Sequence, residues 1–456
     1  MITLDPIAIF TGLSIGLVFG FALSKSKLCT NSAFANFFLF RSVSLIKIIT
    51  LSVLLMTTCV AILAMFNLYE YKPMTFSYIL NPFGGFIFGI GMVLASGCAS
   101  GICYKAGEGL YQAIVALFGF MITGLIVQNN SFINLSEITG NTLLFAGDFS
   151  PSIPDFLGLN INDFWIIGLI IGGLGLILFG FWEYRASSRN LSFNFSMFDG
   201  NALQIIKNPW PWWIVGTIIA IVGMFAFLTR LTQTGVCNCT SPGLGMTNGI
   251  VNFFDFGWAT FLVIGTILGA VIASKLIGHF RFEVSSPRNL IKGFTGGSLM
   301  GAGAVLASGC NIGHIFGGLP HLSIGSVITI FFMIAGNWTS VILLNKYFDI
   351  TNFEMRTTSP ILMGELSSKS GSIVSGAQSI DELRMIDTRG ETCPIPLMLT
   401  RKALRKSIDG EEIIVIGDHR PSLKDIPEYI KKINSEIINL REEDGNWYML
   451  IKYHKE

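Results

Sequence analysis

Over roughly its first 350 residues the chain alternates long apolar runs with short polar stretches. About 20 consecutive apolar residues carry a helix across a bilayer. Nine stretches qualify: roughly 7–24, 43–67, 83–103, 110–128, 163–182, 212–229, 252–275, 293–313 and 322–345. The pattern predicts an all-α polytopic membrane protein with about nine transmembrane helices. The first stretch has no cleavage-like site behind it and shares the glycine spacing of the later ones, so it reads as a retained span and not as a signal peptide.

Beyond residue 350 the periodicity changes. Thr357, Ser359, Ser367, Ser368, Ser370 and Gly371 mark positions 351–383 as a flexible linker. From Arg384 short elements follow: a strand over 385–388, a helix over 394–407, a strand over 412–416, a helix over 423–434, and strands over 436–441 and 447–454. This β-α-β-α-β-β order predicts a small α/β two-layer sandwich. The domain reading is therefore 1–350 for the membrane part, 351–383 for the linker and 384–456 for the sandwich.

The membrane part repeats itself. Ala-Ser-Gly-Cys occurs at Ala95–Cys98 and again at Ala307–Cys310, and Gly84, Gly85, Gly89 and Gly91 fall in register with Gly296, Gly297, Gly301 and Gly303. A constant offset of 212 residues marks two copies of one half-protein. Gly12, Gly16 and Gly20, like Gly265 and Gly269, place small residues on one helix face, where they permit close backbone approach.

Charge orients the copies. Cytoplasmic loops collect Lys and Arg. The loops after spans one, three, five and seven hold Lys25, Lys27, Arg41, Lys47, Lys105, Arg185, Arg189, Lys207, Lys275, Arg281, Arg288 and Lys292, whereas the opposite set holds Lys72 and Arg230. This bias predicts a multi-pass protein of a bacterial-type plasma (inner) membrane, its N-terminus outside and its C-terminal domain cytoplasmic. Spans three and eight then enter from opposite sides, so the repeat is inverted, a recurrent transporter design. With 51% hydrophobic and 13% charged residues the partner is the lipid bilayer, and a net charge of +1 makes no case for nucleic acid.

Eight cysteines carry the candidate chemistry. Ser96, Gly97 and Cys98, and likewise Ser308, Gly309 and Cys310, interrupt apolar runs with polar, flexible backbone. A membrane tolerates such backbone only where it lines a cavity or is buried in protein, which makes these six residues candidate substrate contacts. Cys29 ends the first span among Ser24, Lys25, Ser26 and Lys27, a cationic setting that could hold an anion near a thiol. Cys237 and Cys239 occupy a loosely similar place after span six, while Cys59 reads as a small buried hydrophobe. Zinc is disfavoured by the Cys-x-Cys spacing and by the isolation of His314 and His321, so no metal and no cofactor is expected. A Cys237–Cys239 disulfide remains open but would be strained.

Ser26-Lys27-Leu28-Cys29-Thr30, Ala95-Ser96-Gly97-Cys98 and Ala307-Ser308-Gly309-Cys310-Asn311-Ile312-Gly313 resemble motifs of the YeeE/YedE family of membrane proteins. The resemblance covers about residues 1–350 and implies an hourglass-shaped helical importer of thiosulfate with inverted halves. It also implies that Cys29, Cys98 and Cys310 contact the terminal sulfur of the passing anion. Cys237 and Cys239 stand outside that three-cysteine pattern.

In the sandwich, Cys393 precedes Pro394 at the start of a helix, where the helix dipole favours thiolate. Cys393-Pro394-Ile395-Pro396 resembles the marker of the TusA/SirA family of sulfur carriers, and the likeness runs the length of the domain. It implies that Cys393 carries sulfur as a persulfide and passes it to cytoplasmic sulfur-transfer proteins. Asp418, His419 and Arg420 precede the second helix, where they could bind a partner or simply form a solvated loop. The joint expectation is thiosulfate uptake with sulfur capture by the fused carrier. Two rivals are a transporter of another sulfur or selenium oxyanion and a membrane-anchored sulfurtransferase; for the latter a single anchor helix would suffice.

Overall fold

The computed structural model describes residues 6–40, 42–66, 76–129, 164–187, 210–231, 243–278, 286–350, 384–389, 395–418, 422–443 and 446–454, with isolated positions between them. Two compact units divide between Ser340 and Val341, with the short segment Phe38–Arg41 grouped with the second.

The first unit is helical: α1 (Pro6–Ser26), α2 (Thr30–Phe40), α3 (Ser44–Met65), α4 (Leu80–Leu94), α5 (Ala99–Glu108), α6 (Tyr111–Gln128), α7 (Phe164–Ser187), α8 (Trp212–Leu231), α9 (Thr247–Val251), α10 (Trp258–Ile277), α11 (Pro287–Leu306), a π-helical turn (Gly313–Gly318) and α12 (Ile324–Ile350). Among the described residues eight helical stretches are long and apolar enough to cross a membrane, against nine expected. The difference is α11, where Arg288, Lys292 and five glycines dilute the apolar character. Those glycines have a packing reason: Gly293, Gly296, Gly297, Gly301 and Gly303 are all buried against protein.

Two long stretches also depart from simple spans. Pro6–Leu39 contains α1 and α2 with a break between them, and Leu80–Glu108 contains α4 and α5 with another. Lys27 and Lys105, expected on cytoplasmic loops, therefore stand within these interrupted stretches, and Lys105 is 5% exposed.

The repeat is visible in how α4 meets α11. A Cβ on Gly84 would lie 2.7 Å from the Gly303 carbonyl oxygen, and one on Gly91 would lie 2.7 Å from that of Gly296. The index rises along one helix as it falls along the other, so the two copies cross antiparallel. Each glycine of one copy meets the partner of the other glycine, as a two-fold axis requires, and the repeat is inverted. The α1 and α10 glycines behave as their spacing predicts: a Cβ on Gly16 or Gly265 would press into the facing backbone carbonyl of Leu262 or Leu13. Outward positions such as Phe10, Ile177 and Phe331 are exposed apolar side chains, as a lipid-facing surface requires.

The second unit has β1 (Arg384–Asp387), α13 (Ile395–Arg405), β2 (Glu412–Gly417), α14 (Ser422–Lys432), β3 (Glu436–Glu443) and β4 (Asn446–Lys452), in the predicted order. Its sheet runs β1-β2-β4-β3, with β1 parallel to β2 and the other pairs antiparallel. Ile386, Ile413, Val415, Met449 and Ile451 alternate toward one face, where they pack with Leu397, Leu404, Ile426 and Ile430 of the helices. Trp447, 1% exposed, fills the end of this core.

Candidate functional site

The three cysteines common to the sequence motifs occupy equivalent places. Each follows a helix that stops in the same way. Ser96 N–H bonds the Val93 carbonyl at 3.2 Å and Gly97 N–H bonds that of Met92 at 3.0 Å; Ser308 and Gly309 repeat this on Val305 and Ala304 at 3.2 and 2.8 Å. These paired bonds form the Schellman helix stop, which needs one left-handed residue. Ser96 (φ 56°), Ser308 (φ 59°) and Lys27 (φ 54°) adopt that conformation, and each lies two residues before a cysteine. Glycine is the usual occupant, and a side chain there costs about 1–2 kcal/mol. At the Lys27 break Leu28 N–H closes onto the Leu23 carbonyl at 3.3 Å.

The cysteine then starts the next helix. Cys98 is extended (ψ 179°) and caps α5, its Sγ accepting from Gly101 N–H at 3.3 Å. The Cys29 carbonyl accepts from Ala33 N–H at 2.9 Å, and that of Cys310 from His314 N–H at 3.0 Å. Three helix N-termini, each at the positive end of a helix dipole, therefore carry a cysteine at the tip.

Tertiary packing brings these tips together. Cys29 Sγ and Cys98 Sγ are 3.5 Å apart. Ser100 Oγ lies 3.4 Å from Cys98 Sγ, and Thr30 also hydrogen-bonds that sulfur. Gly101 makes room: a Cβ there would lie 2.8 Å from Cys29 Sγ and 3.2 Å from Cys98 Sγ. Asn311, the residue after Cys310, donates to Thr30 Oγ1 at 2.7 Å and accepts from Ala99 N–H at 3.3 Å. One amide thus joins the residues that follow all three cysteines. Cys29, Cys98, Cys103 and Cys310 are buried free thiols.

Polar groups surround the thiols. Lys105 Nζ donates to the Ser96 carbonyl at 2.5 Å. Lys27 Nζ and Ser24 Oγ both bond Glu108 Oε1 at 2.5 Å. At the second copy the Ala307 carbonyl accepts from Asn81 Nδ2 at 3.0 Å and lies 3.0 Å from His314 Nε2. Asn337 Nδ2 donates to Asn31 Oδ1 at 2.7 Å, while Asn31 Nδ2 is buried without a partner. The arrangement offers donors and soft sulfurs, the chemistry of an anion with a polarizable end. No group of three or more His, Cys, Asp or Glu able to hold a metal occurs among the described residues.

The sequence reading placed Ser96, Gly97, Cys98, Ser308, Gly309, Cys310 and Cys29 at this site, and the structure brings Cys29 and Cys98 into contact. Cys237, Cys239 and Cys393 lie outside the described residues, as do His419 and Arg420. Asn311, Gly101, Cys103 and Lys105 were not singled out. Asn311 and Thr30 had one available signal, their place directly after a motif cysteine. Near the Cys393 segment, Arg389 donates to Asp387 through Nε at 3.0 Å and Nη2 at 2.7 Å, and this pairing holds its guanidinium above the ordinary range.

Inverted glycine-rich halves, interrupted helices and a buried donor-lined centre define an integral membrane protein of the transporter class. The chain belongs to the sulphur transport family, whose profile matches residues 25–339. A second profile, sulfurtransferase TusA, matches residues 384–453. The thiosulfate transporter TsuA of Spirochaeta thermophila is 33% identical over 348 residues, 73% of this chain and 97% of that protein. The protein of the same name from Escherichia coli is 25% identical over 346 residues, 73% of this chain and 93% of that one. The C-terminal unit is similar to the sulfur carrier protein TusA of Allochromatium vinosum, with 31% identity over 67 residues, 15% of this chain and 88% of that protein.

Proposed function

We propose that the protein imports thiosulfate through the thiol-lined centre of residues 1–350 and delivers its sulfur to the carrier unit, residues 384–456, joined by 351–383. The observation that carries this reading is the convergence of cysteine-tipped helix starts, with Cys29 Sγ 3.5 Å from Cys98 Sγ. Thiosulfate has a hard sulfonate end and a soft terminal sulfur. Helix N-termini suit the first, and thiols suit the second: they are weak donors that hold the anion loosely enough to release it. Cys29, Cys98 and Cys310 would contact the terminal sulfur, with Ser96, Gly97, Ser308 and Gly309 shaping the backbone around them. Cys237 and Cys239 are further thiols on the same chain that the anion could meet.

The charge bias of the loops supports a plasma-membrane protein with its N-terminus outside and the carrier in the cytoplasm. Moving a dianion inward against about 100 mV costs about 4.6 kcal/mol, at about 2.3 kcal/mol per charge. Uptake therefore needs a coupled ion or a drain inside. Cys393 is suited to be that drain: its thiolate attacks the terminal sulfur, a new S–S bond forms, the S–S bond of thiosulfate breaks, and sulfite leaves with the electron pair. The resulting persulfide can pass to cytoplasmic sulfur-transfer proteins.

The test is uptake of thiosulfate labelled at the terminal sulfur by proteoliposomes holding the full chain. Saturable uptake by the wild type that Cys98→Ser abolishes agrees with the reading. Uptake equal to that of empty liposomes contradicts it.

A further inference from the structure

Lys105 is a lysine buried in a membrane-embedded stretch, with no carboxylate partner among the described residues. A charge in that position is costly, and where one is kept it marks a substrate path by default. Capping a helix end is the plain alternative, since Lys105 Nζ bonds the Ser96 carbonyl at the end of α4. The second copy of the repeat argues against that as the whole role. There the position equivalent to Lys105, 212 residues on, is Gly317, yet Ser308 N–H and Gly309 N–H make the same two helix-stop bonds to Val305 and Ala304. The fold closes this kind of stop without a lysine, so the ammonium answers a different need.

Its position indicates which. Cys98, Gly101, Lys105 and Glu108 recur at three- and four-residue spacing along α5, which puts them on one face. Gly101 abuts both Cys29 Sγ and Cys98 Sγ, and Glu108 is already neutralised by Lys27. Lys105 lies between them and has one of its three N–H groups on Ser96, two residues before Cys98. From the thiols along this face, it is the first cation not matched by an acid.

We infer that the Lys105 ammonium is the counter-charge of the pathway: it takes the sulfonate end of the dianion while the thiols hold the terminal sulfur, and so makes the site select a divalent anion. This rests on the thiosulfate reading above. Lys105 is thus a specificity residue that touches substrate, and its loss removes discrimination by charge more than it removes binding of the soft sulfur.

The experiment compares thiosulfate with methanethiosulfonate, a monoanion that keeps the terminal sulfur but has one charge fewer. Both compete against labelled thiosulfate in proteoliposomes of the full chain. In the wild type thiosulfate competes at least about tenfold better, the scale of one charge-assisted hydrogen bond. In Lys105→Gln, which keeps a donor for the Ser96 carbonyl, the ratio collapses toward unity; Lys105→Arg retains it. A structural role would weaken both competitors alike and leave the ratio unchanged, which overturns the inference. So does a wild-type ratio near unity, a result that needs no variant to fold. If Lys105→Gln does not fold, Lys105→Met takes its place, and loss of folding in both, with Lys105→Arg folded, assigns the charge to stability and also overturns it. A wild type that imports no labelled thiosulfate contradicts the transport reading and takes this role down with it, whereas an unchanged ratio leaves transport standing.

Discussion

Asn311 Nδ2 donates to Thr30 Oγ1 at 2.7 Å, joining residues 281 positions apart in sequence. The same side chain accepts from Ala99 N–H, so the starts of three helices are fixed relative to one another by one amide. Asn311→Ala leaves buried groups without partners, at about 1–3 kcal/mol. Labelled-thiosulfate uptake should fall by at least about tenfold if the thiols lose their alignment by that amount. Asn311→Asp keeps the shape but adds a negative charge beside the proposed anion position, and it should be the more damaging of the two. The reverse order would contradict an anion site here.

Gly97 and Gly101 stand on either side of Cys98 but face different surroundings. A Cβ at Gly97 meets Ile102 Cγ2 at 3.3 Å, a contact that a small shift relieves, whereas at Gly101 it meets Cys29 Sγ at 2.8 Å. Gly97→Ala should keep near wild-type uptake. Gly101→Ala should cost about 1–3 kcal/mol in overpacking and displace the pair of sulfurs. The measurement is uptake alongside the thermal midpoint of the purified protein.

Ser96 and Ser308 adopt left-handed backbone that glycine adopts without strain. Ser96→Gly should therefore keep the helix stop, while Ser96→Val, β-branched at positive φ, should destabilise by about 2 kcal/mol or more. Thermal unfolding of both variants in detergent checks the order.

In the carrier unit Gly417 lies under Trp447, where a Cβ would come within 2.7 Å of Thr388 Oγ1 and closer still to the indole. Trp447→Ala opens the core and should cost about 3–5 kcal/mol. Hydrogen exchange along β2 and β4 in the full chain should accelerate accordingly, while α4 and α11 keep their protection.

Much of this was legible from residue order. The 212-residue offset predicted the duplication and the loop charges the inversion that Gly84 and Gly303 display, and the carrier's β-α-β-α-β-β order followed from turn residues and period. Linear position misplaced Lys27 and Lys105, because a broken helix continues where a loop would be expected, and the loop charge count cannot tell them apart. The helix α11 is less apolar than the other spans because it gives up apolar residues for glycines that face protein, not lipid. The Asn311–Thr30 tie and the Lys105 contact depend on how separate helices meet, which no local pattern encodes.

The central claim is that the thiols at the helix breaks carry thiosulfate. Initial-rate uptake of labelled thiosulfate by proteoliposomes of the full chain, wild type against Cys98→Ser, tests it most directly. The account predicts saturable import that falls to the empty-liposome level in the variant while its thermal midpoint stays near that of the wild type. Equal import by the two proteins would contradict it.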